Sequence, residues 1–470
     1  MNYVPRIGII TLGDPREEVP WRSEEDKLHE ELVNILKKSK ELKTFYPHKV
    51  VRAYKDIIEI IKRITRDEID LLLLYIPVWT YPAITVAGAR EAIERGVQLI
   101  VIYSDRGLSG ILASAGALKQ VGIRSKLIYC NKEELVENIT KLARACMAIN
   151  RLKGMRYGVI GGRALGMYTV VDDPIRWQRE FGVDIDHIDQ VEVLREVEKI
   201  PEDKINTYLR WIQKNFGLIE YDDKMLTLDI LKKHIRVYIA LKRIINKYNF
   251  DFCGLKCQPE LSDHYVCACL AIALINDPYD AEGYKEPIVC ACEVDHDGAL
   301  TMEILKIISG GKPTTLMDVL SYDEELELLY LGNCGGMATW FTKRSDDLGE
   351  NLREVHLRPQ IQGKAGGAAT QYVADEGIFT IARLFREGDE YRMVLIRSKA
   401  VKVPRENLKR DMWPWPHIVV KFKKSDFLNL LDVLGANHLH ATEGDYIEEL
   451  IEFCKLKGIK YVVFDEVEAP

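Results

Sequence analysis

The sequence predicts an α/β protein: two doubly wound α/β domains followed by a mainly β C-terminal domain. Three observations carry that expectation. Over residues 1–312, short runs that are apolar throughout alternate with charged helical patterns, the rhythm of βαβ units whose strands are covered on both faces. After Lys312 the texture changes to closely spaced β-branched runs broken by Gly and Pro, which favours antiparallel strands in a barrel or sandwich. The chain has 470 residues, 47% hydrophobic and 29% charged, a globular composition long enough for two or three domains.

The elements follow in order. RIGIIT reads as a first core strand, a charged helix runs from about Glu24 to Lys38, and DLLLLYIPV, GVQLIVIYS and SKLIYC supply further strands with helices between. A helix ends near Arg151 to Arg156, so the first α/β domain is placed at 1–153. RYGVIGGRALGMYT restarts the pattern with a strand; helices near Ile205–Asn215 and Leu226–Tyr248 and strands at DFCGLKC and EPIVCACEV fill a second domain, 154–312. In 313–470, EVHLRPQIQG, GIFTIARLF, YRMVLIRSKAVKVP and HIVVKF read as β, and the end returns to a helix, DYIEELIEFCKLKG, and a strand, KYVVFDEV.

Composition removes several functions. A net charge of −7 offers no concentrated basic surface for a polyanion, so no nucleic-acid partner is expected. No run approaches the roughly 18 apolar residues of a membrane span, and MNYVPRIGII lacks the basic and long apolar regions of a secretory leader. The expectation is a cytoplasmic protein with no membrane partner. Its ten cysteines, several inside apolar runs, read as buried hydrophobes of a reducing compartment. The pairs Cys267/Cys269 and Cys290/Cys292 lack the C-x₂-C spacing of structural zinc.

The chemistry gathers in a few motifs. GVIGGRALGM, Gly158 to Met167, follows a strand but fits neither G-x-G-x-x-G nor the Walker spacing; it reads as a tight turn. ACEVDHDGALTM, Ala291 to Met302, puts Glu293, Asp295, His296 and Asp297 at the carboxyl end of an apolar strand, where open α/β sheets place ligands. A calcium loop is excluded because its twelfth position is Ile304. Asp318, in TTLMDVLSYD, reads as lying inside or at the end of an apolar strand one βα unit later, so two carboxylates from neighbouring strand ends converge. LGANHLHATEGD puts His438 and His440 on one face of a strand. Two carboxylates and an imidazole compose a site for a hard cation such as Mn²⁺ or Mg²⁺.

VIGGRALGMYT, KCQPELSDHY, ACEVDHDGALTM, LMDVLSYD and GANHLHATEGD, in that order, resemble the L-fucose isomerase family, related more distantly to L-arabinose isomerase. The resemblance spans essentially the whole chain. It implies two α/β domains and a mainly β third, assembled as a homotrimer or homohexamer with active sites between subunits. Position by position, it implies Glu293, Asp318 and His438 as ligands of Mn²⁺, with Mg²⁺ or Co²⁺ as substitutes, and Glu293 and Asp318 as catalytic groups. Gln258 and Asn437 match substrate-contacting positions, and Arg16 and Trp79 match N-terminal residues that reach a neighbour's site. The implied activity is aldose–ketose isomerisation of L-fucose, D-arabinose or a related sugar through an enediolate; the alternative is a non-catalytic sugar-binding or regulatory protein on the same scaffold. The stretches GNCGGMA and DMWPWPH match the family more loosely, which leaves the far end of the sugar least defined.

Overall fold

A computed structural model describes residues 3–171, 173–410 and 415–467. Among the described residues two compact units emerge, one within 3–151 with 448–456 and one within 152–447 with 457–467. In the first, five strands lie side by side in the order β2 (Lys43–Phe45), β1 (Arg6–Thr11), β3 (Leu71–Tyr75), β4 (Leu99–Ser104) and β5 (Ser125–Tyr129), all parallel. Strand β3, LLLLY, is buried along its whole length, as a strand covered on both faces must be.

Two apolar layers cover it. Helices α1 (Arg22–Lys38) and α5 (Lys132–Leu152) pack Leu28, Leu32, Leu36, Leu135 and Ile139 on one face. On the other, α2 (Tyr54–Ile64), α3 (Pro82–Glu94) and α4 (Leu108–Gln120) bring down Ile57, Ile61, Ile64, Ile84 and Ile111. The spacing of Ile57, Ile60, Ile61 and Ile64 in α2 is one helical stripe, and each such side chain is worth about 1.5–3 kcal/mol when fully buried. The chain leaves β1 for one face and β3 for the other. Between them lies the switch point, where the loops past the strand ends open a crevice.

The second unit combines two sheets. Its parallel sheet runs β12 (Cys290–Cys292), β9 (Phe252–Leu255), β6 (Arg156–Ile160), β7 (Asp184–Ile188). Two small sheets accompany it, β8 (Leu218–Ile219) with β15 (His356–Pro359) and β16 (Ala368–Gln371), and β10 (Tyr279–Asp280) with β11 (Gly283–Tyr284). The larger sheet orders β17 (Gly377–Glu387), β20 (His438–Glu443), β13 (Thr315–Asp323), β14 (Leu328–Gly332), β19 (His417–Lys421) and β18 (Glu390–Ala400). Because β17 also pairs with β18 over eleven residue pairs, these six antiparallel strands close into a barrel, with β21 (Lys460–Asp465) added parallel to β18. Of the barrel and sandwich that the β-rich texture allows, this is the barrel.

Closure leaves β21 as the edge of this sheet among the described residues, and alternation sets the inward positions except at the bulge between Val319 and Ser321. The helix His296–Ile308, buried along its whole length, connects β12 to β13. It carries the chain from the parallel sheet to the barrel, and its N-terminus, capped by Asp295, bears on the candidate site. No helix among the described residues is long and apolar enough to cross a membrane.

Candidate active site

Glu293 stands at the first residue past β12, at the carboxyl end of the parallel sheet. Its backbone is left-handed, φ 59°, and so is that of Val294, φ 56°. Two successive non-glycine residues in this region, one β-branched, store strain that surrounding structure must enforce. Gly254, in the neighbouring β9, makes room: a Cβ there would lie 2.9 Å from the Cα of Val294. Gln258 follows the same β9, so its loop and that of Glu293 leave adjacent parallel strands. The Gln258 amide donates to Gln362 Oε1 at 2.9 Å.

Asp318 comes from the barrel. It lies inside β13, one of the two placements its apolar surroundings suggest, opposite His438 on β20 in antiparallel register; what differs is the sheet, because β13 belongs to the barrel and is no neighbour of β12 in the parallel sheet. The run TLMDV is apolar because it lines a closed barrel, a pattern a parallel strand shares. The register brings donors together. His438 Nε2 is 3.1 Å from Glu293 Oε2 and 3.5 Å from Asp318 Oδ1, and Asn437 Nδ2 donates to Asp318 Oδ1 at 3.0 Å. Thus Glu293, Asp318, His438 and Asn437 meet in one place.

The imidazole is held from behind. His438 Nδ1 is 2.7 Å from Asp295 Oδ2, and the Asp295 carboxylate also caps its helix by accepting from Gly298 N at 2.9 Å. Arg383 of β17 completes the shell with an ion pair to the same carboxylate, and both its side chain and that of Asp295 are fully buried. Burial works to raise the Asp295 carboxyl, but the Arg383 charge and the hydrogen bond from His438 outweigh it and hold it well below the usual carboxylate range. Burial likewise disfavours the charged form of His438, yet Asp295, Asp318 and Glu293 lift it well above an ordinary imidazole. His440, two residues along the same face and fully buried, is driven the other way by burial and by Arg383. It is a neutral neighbour of the site.

These residues fit a divalent cation by donor type and spacing. His438 Nε2 is buried with no hydrogen-bond partner, facing two carboxylates whose side chains are 18% and 15% exposed. Two ligands at right angles around a cation with bonds near 2.1 Å are about 3 Å apart, close to the spacing seen. A carboxylate behind the ligating histidine is the usual orienting partner of metal-bound imidazole. Among the described residues no group of three or more His, Cys, Asp or Glu side chains is placed so that it could hold a metal ion as it stands.

Other expected residues fall elsewhere. Arg16 and Trp79 belong to the first unit, in the loops after β1 and β3 that flank its switch point. The buried Asp14 carboxylate fixes the Arg16 guanidinium through two bonds of 2.9 and 2.5 Å, and the hydrogen bond from Arg16 holds that carboxyl low. His296 Nδ1 faces the carbonyl oxygens of Val170 and Val294 and His417 Nδ1 that of Trp415, so both serve the backbone. Within DMWPWPH, residues 411–414 lie outside the described residues. The ten cysteines are free thiols and nine are buried. Sequence reasoning missed Asp295 as a site member, and Arg383 and Gln362 altogether. For Arg383 the signal was a lone cation in the apolar run IFTIARLF.

Two domain families match the chain: L-fucose isomerase, first N-terminal domain, over residues 4–154, and L-fucose isomerase, C-terminal domain, over 331–465. The chain is 21% identical to the sulfoquinovose isomerase of Priestia aryabhattai over 436 residues, covering 89% of this chain and 91% of that one. It is 20% identical to the L-fucose isomerase of Haemophilus influenzae over 474 residues, covering 84% and 80%. With the L-fucose isomerase of Salmonella typhi it shares 24% over 407 residues, covering 72% and 69%.

Proposed function

We propose that this chain, which belongs to the L-fucose isomerase family, is a metal-dependent aldose–ketose isomerase acting on L-fucose, D-arabinose or a related sugar. One observation carries the reading: Glu293 and Asp318, brought from different sheets, both face His438 Nε2 within 3.5 Å. The reaction moves a proton between C1 and C2 and another between O1 and O2, with negative charge developing on an enediolate. A site for it must bind two vicinal oxygens, hold proton-transfer groups on the C1–C2 bond, and stabilise that charge.

Glu293, Asp318 and His438 would hold Mn²⁺, or Mg²⁺ or Co²⁺, which supplies Lewis-acid stabilisation of the two oxygens. The remaining steps belong to the protein. One of the two carboxylates accepts the carbon-bound proton and returns it to the adjacent carbon; the other exchanges the hydroxyl proton, with roles reversing in the opposite direction. Asn437, which donates to Asp318 at 3.0 Å, fixes the orientation of that carboxylate. Asn437 and Gln258 are also assigned to the sugar hydroxyls, because an amide both donates and accepts. Arg16 and Trp79 are assigned to a neighbouring subunit's site, within a homotrimer or homohexamer.

The test is ketose formation from a panel of aldoses: L-fucose, both arabinoses, ribose, xylose and a sulfonated hexose such as the one named for the Priestia relative. Turnover of at least one sugar with Mn²⁺, abolished by chelator and restored by the ion, supports the reading. Sugar binding without turnover across the panel would replace it with a sugar-binding protein.

A further inference from the structure

We propose that Arg383 and Asp295 are positioning residues that fix the tautomer and ring orientation of His438, so that the Nε2 lone pair faces Glu293 and Asp318. The inference rests on the cation reading above and extends it to groups that touch neither sugar nor ion.

A buried guanidinium is costly unless its charge and most of its donors are matched. Arg383 is fully buried; its Nε has no hydrogen-bond partner, but its two terminal nitrogens are spent on two fixed acceptors. One pairs with Asp295; the other donates to the Thr169 carbonyl oxygen at 3.0 Å. Asp295 is saturated in turn, accepting from Arg383, from His438 Nδ1 at 2.7 Å and from Gly298 N at 2.9 Å. Its three donors sit on three elements, β17, β20 and the N-terminus of the helix His296–Ile308. The carboxylate therefore has no free rotation, and both of its oxygens are taken up as acceptors.

A carboxylate that can only accept decides which nitrogen of His438 bears hydrogen. Nδ1 must be the donor, so in the neutral ring Nε2 is the lone-pair nitrogen. It is Nε2 that faces Glu293 and Asp318 at 3.1 and 3.5 Å. Replacing the acceptor by an amide removes this logic, since an amide nitrogen turned toward Nδ1 stabilises the opposite tautomer and puts hydrogen on Nε2. Without Arg383, Asp295 loses the partner that pins it against the ring.

The experiment uses full-length Asp295→Asn, Arg383→Met and Arg383→Lys proteins, each checked for folding by metal-free thermal unfolding. Free Mn²⁺ is counted by electron paramagnetic resonance during titration, and metal-free crystal structures give the His438 ring. Outer partners of metal-bound histidine are typically worth about 10- to 100-fold in affinity. The expectation is a loss of that size in folded Asp295→Asn and Arg383→Met, partial rescue in Arg383→Lys, and a turned imidazole in Arg383→Met. Wild-type Mn²⁺ affinity in folded Arg383→Met, or an unmoved ring there, would overturn the proposal. Should the wild-type protein itself leave all Mn²⁺ free, the cation reading fails, and the ring orientation alone decides this one. If Arg383→Met does not fold, Asp295→Asn and Arg383→Lys decide by the same two readouts.

Discussion

Gly298→Ala isolates the contact between the helix N-terminus and the site, because two effects of opposite sign meet there. Gly298 is the third residue of the helix His296–Ile308, and alanine in a helix is favoured over glycine by roughly 0.5–1 kcal/mol. Propensity alone thus predicts a more stable protein. The geometry predicts the reverse, since the added methyl would sit 2.5 Å from His440 Nε2 and 2.6 Å from the Asp295 carboxylate. Ordinary contact begins at 3.4 Å, so neighbours must retreat by about 0.8 Å. Neither can do so easily. His440 is fully buried, and Asp295 is tied to Arg383, His438 and Gly298 N. Overpacking of this kind costs about 1–3 kcal/mol, which outweighs propensity and leaves a net loss of about 1–2 kcal/mol. At roughly 1.5 °C per kcal/mol for a unit of this size the transition should fall by about 1.5–3 °C. Gly116→Ala is the control, in α4 with nothing within 4 Å of its Cβ, and should raise the transition slightly. Calorimetry of both metal-free variants checks the sign, and a rise in both would refute the packing argument.

Three further outcomes follow from the site. Glu293→Gln and Asp318→Asn keep shape but remove a proton-transfer group, so each should lower kcat by about 10²–10⁴ with little change in thermal unfolding; near-normal turnover in either would remove it from the reaction. Dialysis against chelator should abolish activity and Mn²⁺ should restore it, read by ketose formation, whereas full activity in a verified metal-free sample would exclude the cation. His438 is raised well above its ordinary value; the stability it gives the metal-free protein is whole below about pH 6.5 and fades as pH climbs through the folded pKa. A cation must displace that same proton, so its affinity should rise about tenfold per pH unit over that span. Titration calorimetry in buffers of different protonation enthalpy counts the proton, and zero released would contradict the assignment.

Much of the fold was legible because burial on two faces leaves a mark in the sequence. LLLLY and LIVIYS have no polar face, and the structure places both inside the five-stranded parallel sheet. What a pattern does not carry is the partner. The helix Ile447–Lys457 is plain in IEELIEFCKLK, yet residues 448–456 cluster with 3–151, where Glu452 meets Lys126 at 2.8 Å. An apolar stripe specifies a face to bury and says nothing of what buries it. The same ambiguity put the strand of Asp318 beside that of Glu293, since a barrel strand and a parallel strand both read as apolar runs, although its place inside a strand was legible.

The candidate site divides along the same line. Glu293, Asp318 and His438 are chemically conspicuous, and their meeting could be expected from the kind of ion they suit. Arg383 is conspicuous for the opposite reason, as a cation where alternation demands an apolar residue. Its partners Thr169 and Asp295 are 214 and 88 residues away in sequence, joined to it only by the closure of β17 onto β20 and by the helix that caps on Asp295. Local propensity gives no hint of such a pairing, because the cost it offsets arises only once the barrel has excluded water. A lone charge in an apolar strand is therefore evidence of a distant, fully buried opposite charge. In this chain that charge is the carboxylate that aims His438 at the site.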